Sequence, residues 1–108
     1  MFNQITDLKT SGNEALQAGK FEDAIQFYTD AIKLDEKSHV LYSNRSAAYS
    51  SLREYEKAIE DAEKCIELSP SFVKGYSRKG SALCYQQKYI EAFDAYKKGK
   101  FSICKKWG

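Results

Sequence analysis

Apolar and small residues recur along this chain with a fixed step of 34 residues. Ala24, Ala58 and Ala92 are separated by that step and stand in the similar contexts FEDAIQFY, YEKAIEDA and YIEAFDAY. Within each step the apolar positions follow helical spacing in two bursts with a break between them, which is typical of two antiparallel helices. A fixed period of this length indicates an array of helical hairpins packed side by side.

The same pattern predicts where each helix begins and ends. The first helix of each hairpin is predicted at about 3–18, 39–52 and 73–86, and the second at about 21–34, 55–68 and 89–100. Small residues at Gly12, Ser46 and Gly80 follow the period and allow the two helices of a hairpin to approach closely. Pro70 ends the second unit, because proline disfavours helix at the residue before it.

These small, aromatic and alanine columns resemble the tetratricopeptide repeat (TPR), from residue 5 to about residue 99. The resemblance implies an all-α fold of three helix-turn-helix repeats stacked in a right-handed superhelix, with the first helices lining the concave surface. We expect one domain over 1–108, with repeats at about 5–38, 39–72 and 73–102. The apolar columns of the third repeat become Gly99, Lys100 and Ser102, so we expect the capping helix to be absent or irregular.

Charge and cysteine content narrow the functional classes. The chain has 17 Lys and Arg against 15 Asp and Glu, and this net charge of +2 does not by itself imply a nucleic-acid or membrane partner. No apolar run approaches the roughly 18 residues of a membrane span, and no secretory signal is evident, so we expect a cytoplasmic protein. Cys65, Cys84 and Cys104 form neither a CxxC pair nor a cluster with histidine. We therefore expect small buried cysteines, with no disulfide framework, metal site or cofactor.

Hydrogen-bond donors occupy positions of the first helices that differ between repeats. Lys9 and Asn13 are four residues apart, as are Lys74 and Arg78, so each pair projects from one side of its helix, and Asn44 lies on the helix between them. Asparagine inside a helix costs about half a kcal/mol relative to alanine, so two of them favour a functional role over a solvated surface. Together the five side chains predict a site for closely spaced anions, such as the two carboxylates of a C-terminal aspartate.

Small side chains on the same helices leave room for an extended peptide beside these donors. They are Ser43, Ala47, Ser50, Ser77 and Ser81. Close packing between repeats is the alternative explanation for their size.

The five donors also match, position by position, the two-carboxylate clamp of TPR co-chaperones. The segments HVLYSNRSAAY (39–49) and KGYSRK (74–79) resemble the first TPR module of the Hop/Sti1 family. That resemblance implies binding of the C-terminal Glu-Glu-Val-Asp of a cytosolic heat-shock chaperone, with the seventy-kilodalton type favoured over the ninety-kilodalton type. It also implies side pockets at Leu16, Ala47, Ser50, Cys84 and Tyr85.

An enzyme is not expected from this sequence. The single histidine, His39, stands at a predicted helix start, and no phosphate-binding loop, HExxH motif or activated nucleophile is present. The acidic pairs Glu22-Asp23 and Glu60-Asp61 fall on second helices, where we expect a solvated face.

The C-terminal segment leaves further alternatives open. Three alternatives are open for Phe101, Ile103, Cys104 and Trp107. They extend the last helix, they meet a second copy of the chain in a homodimer, or they belong to a foreign tail. Nucleic-acid binding through the lysines of this region is a weaker alternative, because they form no stripe with interleaved aromatic residues. These lysines are Lys97, Lys98, Lys100, Lys105 and Lys106.

Overall fold

Six α-helices form three hairpins in the computed structural model, which describes the backbone of residues 4–107 and the side chains of residues 4–99. The helices are α1 (Gln4–Gln17), α2 (Phe21–Leu34), α3 (His39–Ser51), α4 (Tyr55–Leu68), α5 (Val73–Tyr85) and α6 (Tyr89–Trp107). Each helix packs on the next, and α3 also contacts α1 and α5, so the first helices of the hairpins lie side by side. The predicted all-α stack of three hairpins is confirmed. No helix in the described part of the chain is long and apolar enough to cross a bilayer.

The helix boundaries follow the prediction closely except at the C-terminal end. Helices α2 and α4 have the predicted limits, whereas α6 continues to Trp107 instead of ending near residue 100. Gly99 is tolerated inside α6 because it packs against α5, where an added Cβ would lie 2.9 Å from the Cβ of Tyr76. The segment after Gly99 therefore extends α6 and does not form a separate capping helix within residues 4–107.

One turn geometry closes all three hairpins. Gly19, Arg53 and Gln87 occupy the same column of the repeat and all adopt left-handed backbone, with φ of 80°, 64° and 62°. The amide of the next residue then bonds back to a carbonyl five residues earlier, as in the 2.8 Å bond from Lys20 to Ala15. This Schellman-type ending satisfies the last carbonyls of each first helix and reverses the chain.

Large and small residues are matched inside the hairpins. Gly12 faces the ring of Tyr28, where an added Cβ would lie 2.5 Å from a ring carbon, and Gly80 faces Tyr96 in the same way. In the middle hairpin the corresponding residue is Ser46, whose hydroxyl donates a 2.7 Å hydrogen bond to the carbonyl of Ala58. The close approach of the paired helices thus depends on a glycine wherever the partner helix supplies a tyrosine.

A buried ion pair lies inside the middle hairpin. The guanidinium of Arg45 on α3 donates to both carboxylate oxygens of Asp61 on α4, at 2.7 and 2.8 Å. A third donor reaches Thr29 on α2 at 3.2 Å, and the guanidinium also lies over the rings of Tyr42 and Tyr49. Arg45 therefore ties the second repeat to the first.

The expectation of a solvated acidic face is wrong for Asp61. Its neighbour Glu60 is exposed, as are Glu22 and Asp23, but Asp61 retains only 5% of its accessible surface. Burial raises the pKa of the Asp61 carboxyl, and the hydrogen bonds from Arg45 oppose that rise. Burial of Asp61 is possible because Arg45 supplies both a charge and a matched pair of donors.

The last hairpin exposes an aromatic stripe along α6. Tyr89, Phe93 and Tyr96 lie on one side of the helix, and Phe93 is 69% exposed. On α4, which α5 covers, the residues of the same columns are less exposed: Tyr55 and Ile59 are half-buried and Ala62 is buried. The described part of α6 therefore exposes apolar surface at this end of the stack.

Candidate functional site

Two of the predicted donors meet between the first and second repeats. The Nδ2 of Asn44 on α3 lies 3.4 Å from the Oδ1 of Asn13 on α1. The same oxygen accepts a 2.5 Å hydrogen bond from the hydroxyl of Tyr28 on α2. Both amides are half-buried, while Tyr28 is fully buried. Asn13 and Asn44 therefore contact each other between two neighbouring first helices, and the buried Tyr28 hydroxyl supports Asn13 from α2.

Arg78 on α5 lies close enough to Tyr28 and Cys65 for its positive charge to act on both side chains. Burial raises the pKa of the Tyr28 phenol, and the positive charge of Arg78 acts in the opposite direction. Burial likewise raises the pKa of the Cys65 thiol to about 11, again with Arg78 opposing the rise. The Nε of Arg78 is buried and has no hydrogen-bond partner in the described part of the structure. A buried donor without an acceptor costs about 1–3 kcal/mol.

Lys9 and Lys74 stand one helical turn before Asn13 and Arg78 on their helices. Lys9 is half-buried and Lys74 is exposed. Among the residues whose side chains are described, no carboxylate lies within salt-bridge distance of Lys9, Lys74 or Arg78. The positive charge of the predicted site is therefore not neutralised by those side chains.

Four of the five small residues are accessible along the first helices, and one is not. Ser77 is exposed, and Ala47, Ser50 and Ser81 are half-buried. Ser43 is only 1% exposed, and its hydroxyl is buried without a hydrogen-bond partner among the described residues. The prediction that Ser43 helps to line an open groove is wrong, because neighbouring helices cover this position on α3.

The predicted side-pocket residues differ in accessibility. Leu16 packs partly against the core, and Cys84 is half-buried. Tyr85 is 66% exposed, and its ring stacks on Tyr55 with centroids 5.2 Å apart. The expectation of buried cysteines is confirmed for Cys65 and wrong for Cys84, while Cys104 lies outside the described side chains.

The site offers donors and positive charge and is suited to bind an anion. Lys, Arg and Asn supply N–H groups, and none of the five predicted residues is a general base near neutral pH. Sequence reasoning did not single out Tyr28, which entered it only as the last residue of the repeated context FEDAIQFY. Its signal was the pairing of Gly12 with Tyr28 and of Gly80 with Tyr96 in the repeat columns.

Comparisons with known proteins agree with this architecture. Residues 10–38 and 40–72 match the family model described as tetratricopeptide repeat. The chain is 47% identical over 93 residues to the heat shock protein sti1 homolog of Schizosaccharomyces pombe. That match covers 86% of this chain and 16% of the relative, so the chain spans only a small part of that relative's length.

Two solved structures share the fold. The first TPR of Spaghetti (RPAP3), bound to the HSP90 peptide SRMEEVD, superposes with a TM-score of 0.88 at 33% identity, covering 93% of this chain and 79% of that one. The TPR2B domain of yeast Sti1 in complex with pHsp70 gives a TM-score of 0.89 at 29% identity, covering 92% and 79%. The chain forms three stacked hairpins, has a 34-residue period and matches the family model over more than half of its own length. It therefore belongs to the tetratricopeptide repeat family of protein-interaction modules, which are not enzymes.

Proposed function

We propose that this chain is a co-chaperone module that clamps the C-terminal carboxylates of a heat-shock chaperone tail ending in Glu-Glu-Val-Asp. The observation that carries the proposal is the half-buried, un-neutralised guanidinium of Arg78, whose charge acts on the Tyr28 phenol that supports the contacting amides of Asn13 and Asn44. A carboxylate bound to the accessible part of this guanidinium would form a charge-assisted hydrogen bond and would offset the positive charge of the site. Lys9 and Lys74 would complete the clamp from the adjacent turns.

A chain terminus fits this donor set better than an internal acidic residue does. A C-terminal aspartate presents its side-chain and main-chain carboxylates a few bonds apart, whereas an internal aspartate presents one. Charge-assisted hydrogen bonds contribute about 1.5–3 kcal/mol each, and ordering a flexible tail offsets part of their sum. We expect an affinity in the micromolar range, about −8 kcal/mol.

The solved relatives support a chaperone tail as the ligand. One was determined with an HSP90 peptide ending in EEVD and another in complex with pHsp70. We propose the seventy-kilodalton chaperone as the preferred partner, with the ninety-kilodalton type as the alternative, and the cytoplasm as the site of action. The sequence resemblance to the first Hop/Sti1 module supports this preference, together with the uncharged Cys84 at a side-pocket position.

Calorimetric titration with three peptides tests the proposal. The C-terminal tails of the two chaperone types and an internal acidic peptide of the same net charge are compared at one salt concentration. We expect both tails to bind more tightly than the internal peptide, with the seventy-kilodalton tail binding best. Equal binding of all three peptides would contradict the clamp, since it would indicate attraction to a basic surface alone. Tighter binding of the other tail would overturn only the partner preference.

The exposed stripe on α6 supports a second proposal, that the module self-associates at its C-terminal end. Tyr89, Phe93 and Tyr96 present apolar surface in columns that the earlier repeats cover with the next helix. A homodimer through this stripe would remove that surface from water. Light scattering over a concentration series is expected to show a mass that rises toward the dimer and that returns to the monomer in Phe93→Glu. A monomer at every concentration would contradict the homodimer.

A further inference from the structure

Two hydrogen-bond donors converge on one oxygen in the middle of the proposed clamp. The hydroxyl of Tyr28 lies 2.5 Å from the Oδ1 of Asn13, and the Nδ2 of Asn44 lies 3.4 Å from the same atom. Tyr28 belongs to α2, outside the first helices that supply the five clamp residues. Its side chain has no accessible surface, so it cannot itself touch a peptide in the groove.

The buried hydroxyl fixes which way the Asn13 amide points. A tyrosine hydroxyl removed from water needs an acceptor for its proton, and an amide supplies one only through its oxygen. Burial raises the pKa of Tyr28, which keeps the phenol protonated and able to donate. If the Asn13 amide were reversed, its NH2 group would face the NH2 group of Asn44 and the hydroxyl of Tyr28. Neither of these two donors would then have an acceptor on Asn13. The oxygen therefore faces Tyr28 and Asn44, and the two N–H bonds of Asn13 point away from them.

We infer that Tyr28 is a positioning residue, which holds the Asn13 amide with its oxygen inward and its NH2 group available to a peptide carboxylate. The inference rests on the proposed function and deepens it, because it adds a residue that acts through Asn13 without touching the ligand. Gly12 makes this arrangement possible: an added Cβ at Gly12 would lie 2.5 Å from a Tyr28 ring carbon and displace the ring. The Gly12 and Tyr28 pair thus serves both hairpin packing and the orientation of the clamp.

Substitution Tyr28→Phe removes the hydroxyl and keeps the ring that packs on Gly12. With only the longer contact from Asn44 left on its oxygen, the Asn13 amide would be held less firmly, and we expect affinity for a Glu-Glu-Val-Asp peptide to fall about five- to tenfold, the value of one hydrogen bond. The control is Tyr76→Phe. It also removes a buried tyrosine hydroxyl, but this hydroxyl donates its 2.7 Å hydrogen bond to the carbonyl of Pro70 and not to a clamp residue. Tyr76→Phe should lose comparable stability in urea unfolding and keep wild-type affinity.

A double-mutant cycle separates positioning from general loosening of the fold. In an Asn13→Ala background, Tyr28→Phe is expected to cause no further loss of affinity, because the amide that it orients is gone. Additive losses, or a wild-type affinity for Tyr28→Phe alone, would overturn the positioning role and leave the clamp intact. Failure of the wild-type protein to bind the peptide would instead refute the proposed function, and the positioning role with it.

Discussion

Replacing Arg78 with alanine is expected to weaken binding of a Glu-Glu-Val-Asp peptide by more than tenfold without changing helical content. The guanidinium is half-buried, and no carboxylate among the described side chains neutralises it. A charge-assisted hydrogen bond to this group would contribute about 1.5–3 kcal/mol, which corresponds to roughly ten- to 150-fold in affinity. Lys74→Ala should act in the same direction with a smaller effect, because Lys74 is exposed and more strongly screened. Calorimetry measures the affinities, and circular dichroism the helical content.

The matched control for Arg78→Ala is Lys37→Ala. Lys37 is exposed in the segment between α2 and α3. Its replacement by alanine removes the same unit of charge at a position outside the first helices. We expect Lys37→Ala to bind within twofold of the wild type at 0.15 M salt, where the Debye length is about 8 Å. Equal losses in the two variants would contradict a localised clamp, since net charge alone would then account for binding.

The substitution with the largest expected effect on stability is Arg45→Met. It leaves Asp61, 5% exposed, as a buried carboxylate without its cation, and breaking a buried pair in this way costs about 3 kcal/mol or more. Burial already raises the pKa of Asp61, and the loss of Arg45 removes the interaction that lowers it. The native-state pKa of the variant would then exceed that of the unfolded chain. The penalty is therefore largest at high pH and decreases as the pH falls through the raised native pKa of Asp61.

Urea unfolding of wild type and Arg45→Met at pH 7 and pH 5, followed by circular dichroism, tests this expectation. The difference in unfolding free energy between the two proteins should be smaller at pH 5. The double variant Arg45→Met/Asp61→Ala should recover most of the loss, because the third repeat has alanine at the equivalent position, Ala95, where it is buried. A difference that stays the same at both pH values, or no recovery in the double variant, would show that Asp61 is not the source of the loss.

The hairpin fold was predictable because one period governs both packing and turns. Columns such as Ala24, Ala58 and Ala92 placed the helices to within a few residues at most ends. The error at α6 has a specific cause: Gly99 normally weakens a helix, but here it packs closely on Tyr76 and the helix continues. Spacing along one helix does not show which neighbouring helix a glycine touches.

The polar contacts between helices were less predictable. Asp61 was expected to be solvated because acidic residues on second helices are usually exposed, and the sequence does not show that Arg45 reaches it from sixteen residues away. Ser43 was expected in an open groove, but its burial depends on how the repeats stack. Tyr28 has the spacing of a core residue, and only the structure shows that its hydroxyl meets Asn13.

The sequence predicted which five residues form the proposed clamp. The structure shows that some of them lie close together. Asn13 and Asn44 are in contact, and the charge of Arg78 acts on the Tyr28 phenol that supports Asn13. Lys9 and Lys74 are placed by helical register, one turn from Asn13 and Arg78. Their role in binding stays a prediction, as does the preference for one chaperone type.

The most direct test of the central proposal compares one tail peptide ending in Glu-Glu-Val-Asp with the same peptide amidated at its C-terminus. Amidation removes only the main-chain carboxylate and keeps every side chain, so it isolates the feature that a C-terminus alone possesses. We predict that calorimetry will show micromolar binding of the free acid and a loss of at least tenfold on amidation. Unchanged affinity for the amidated peptide would contradict the carboxylate clamp.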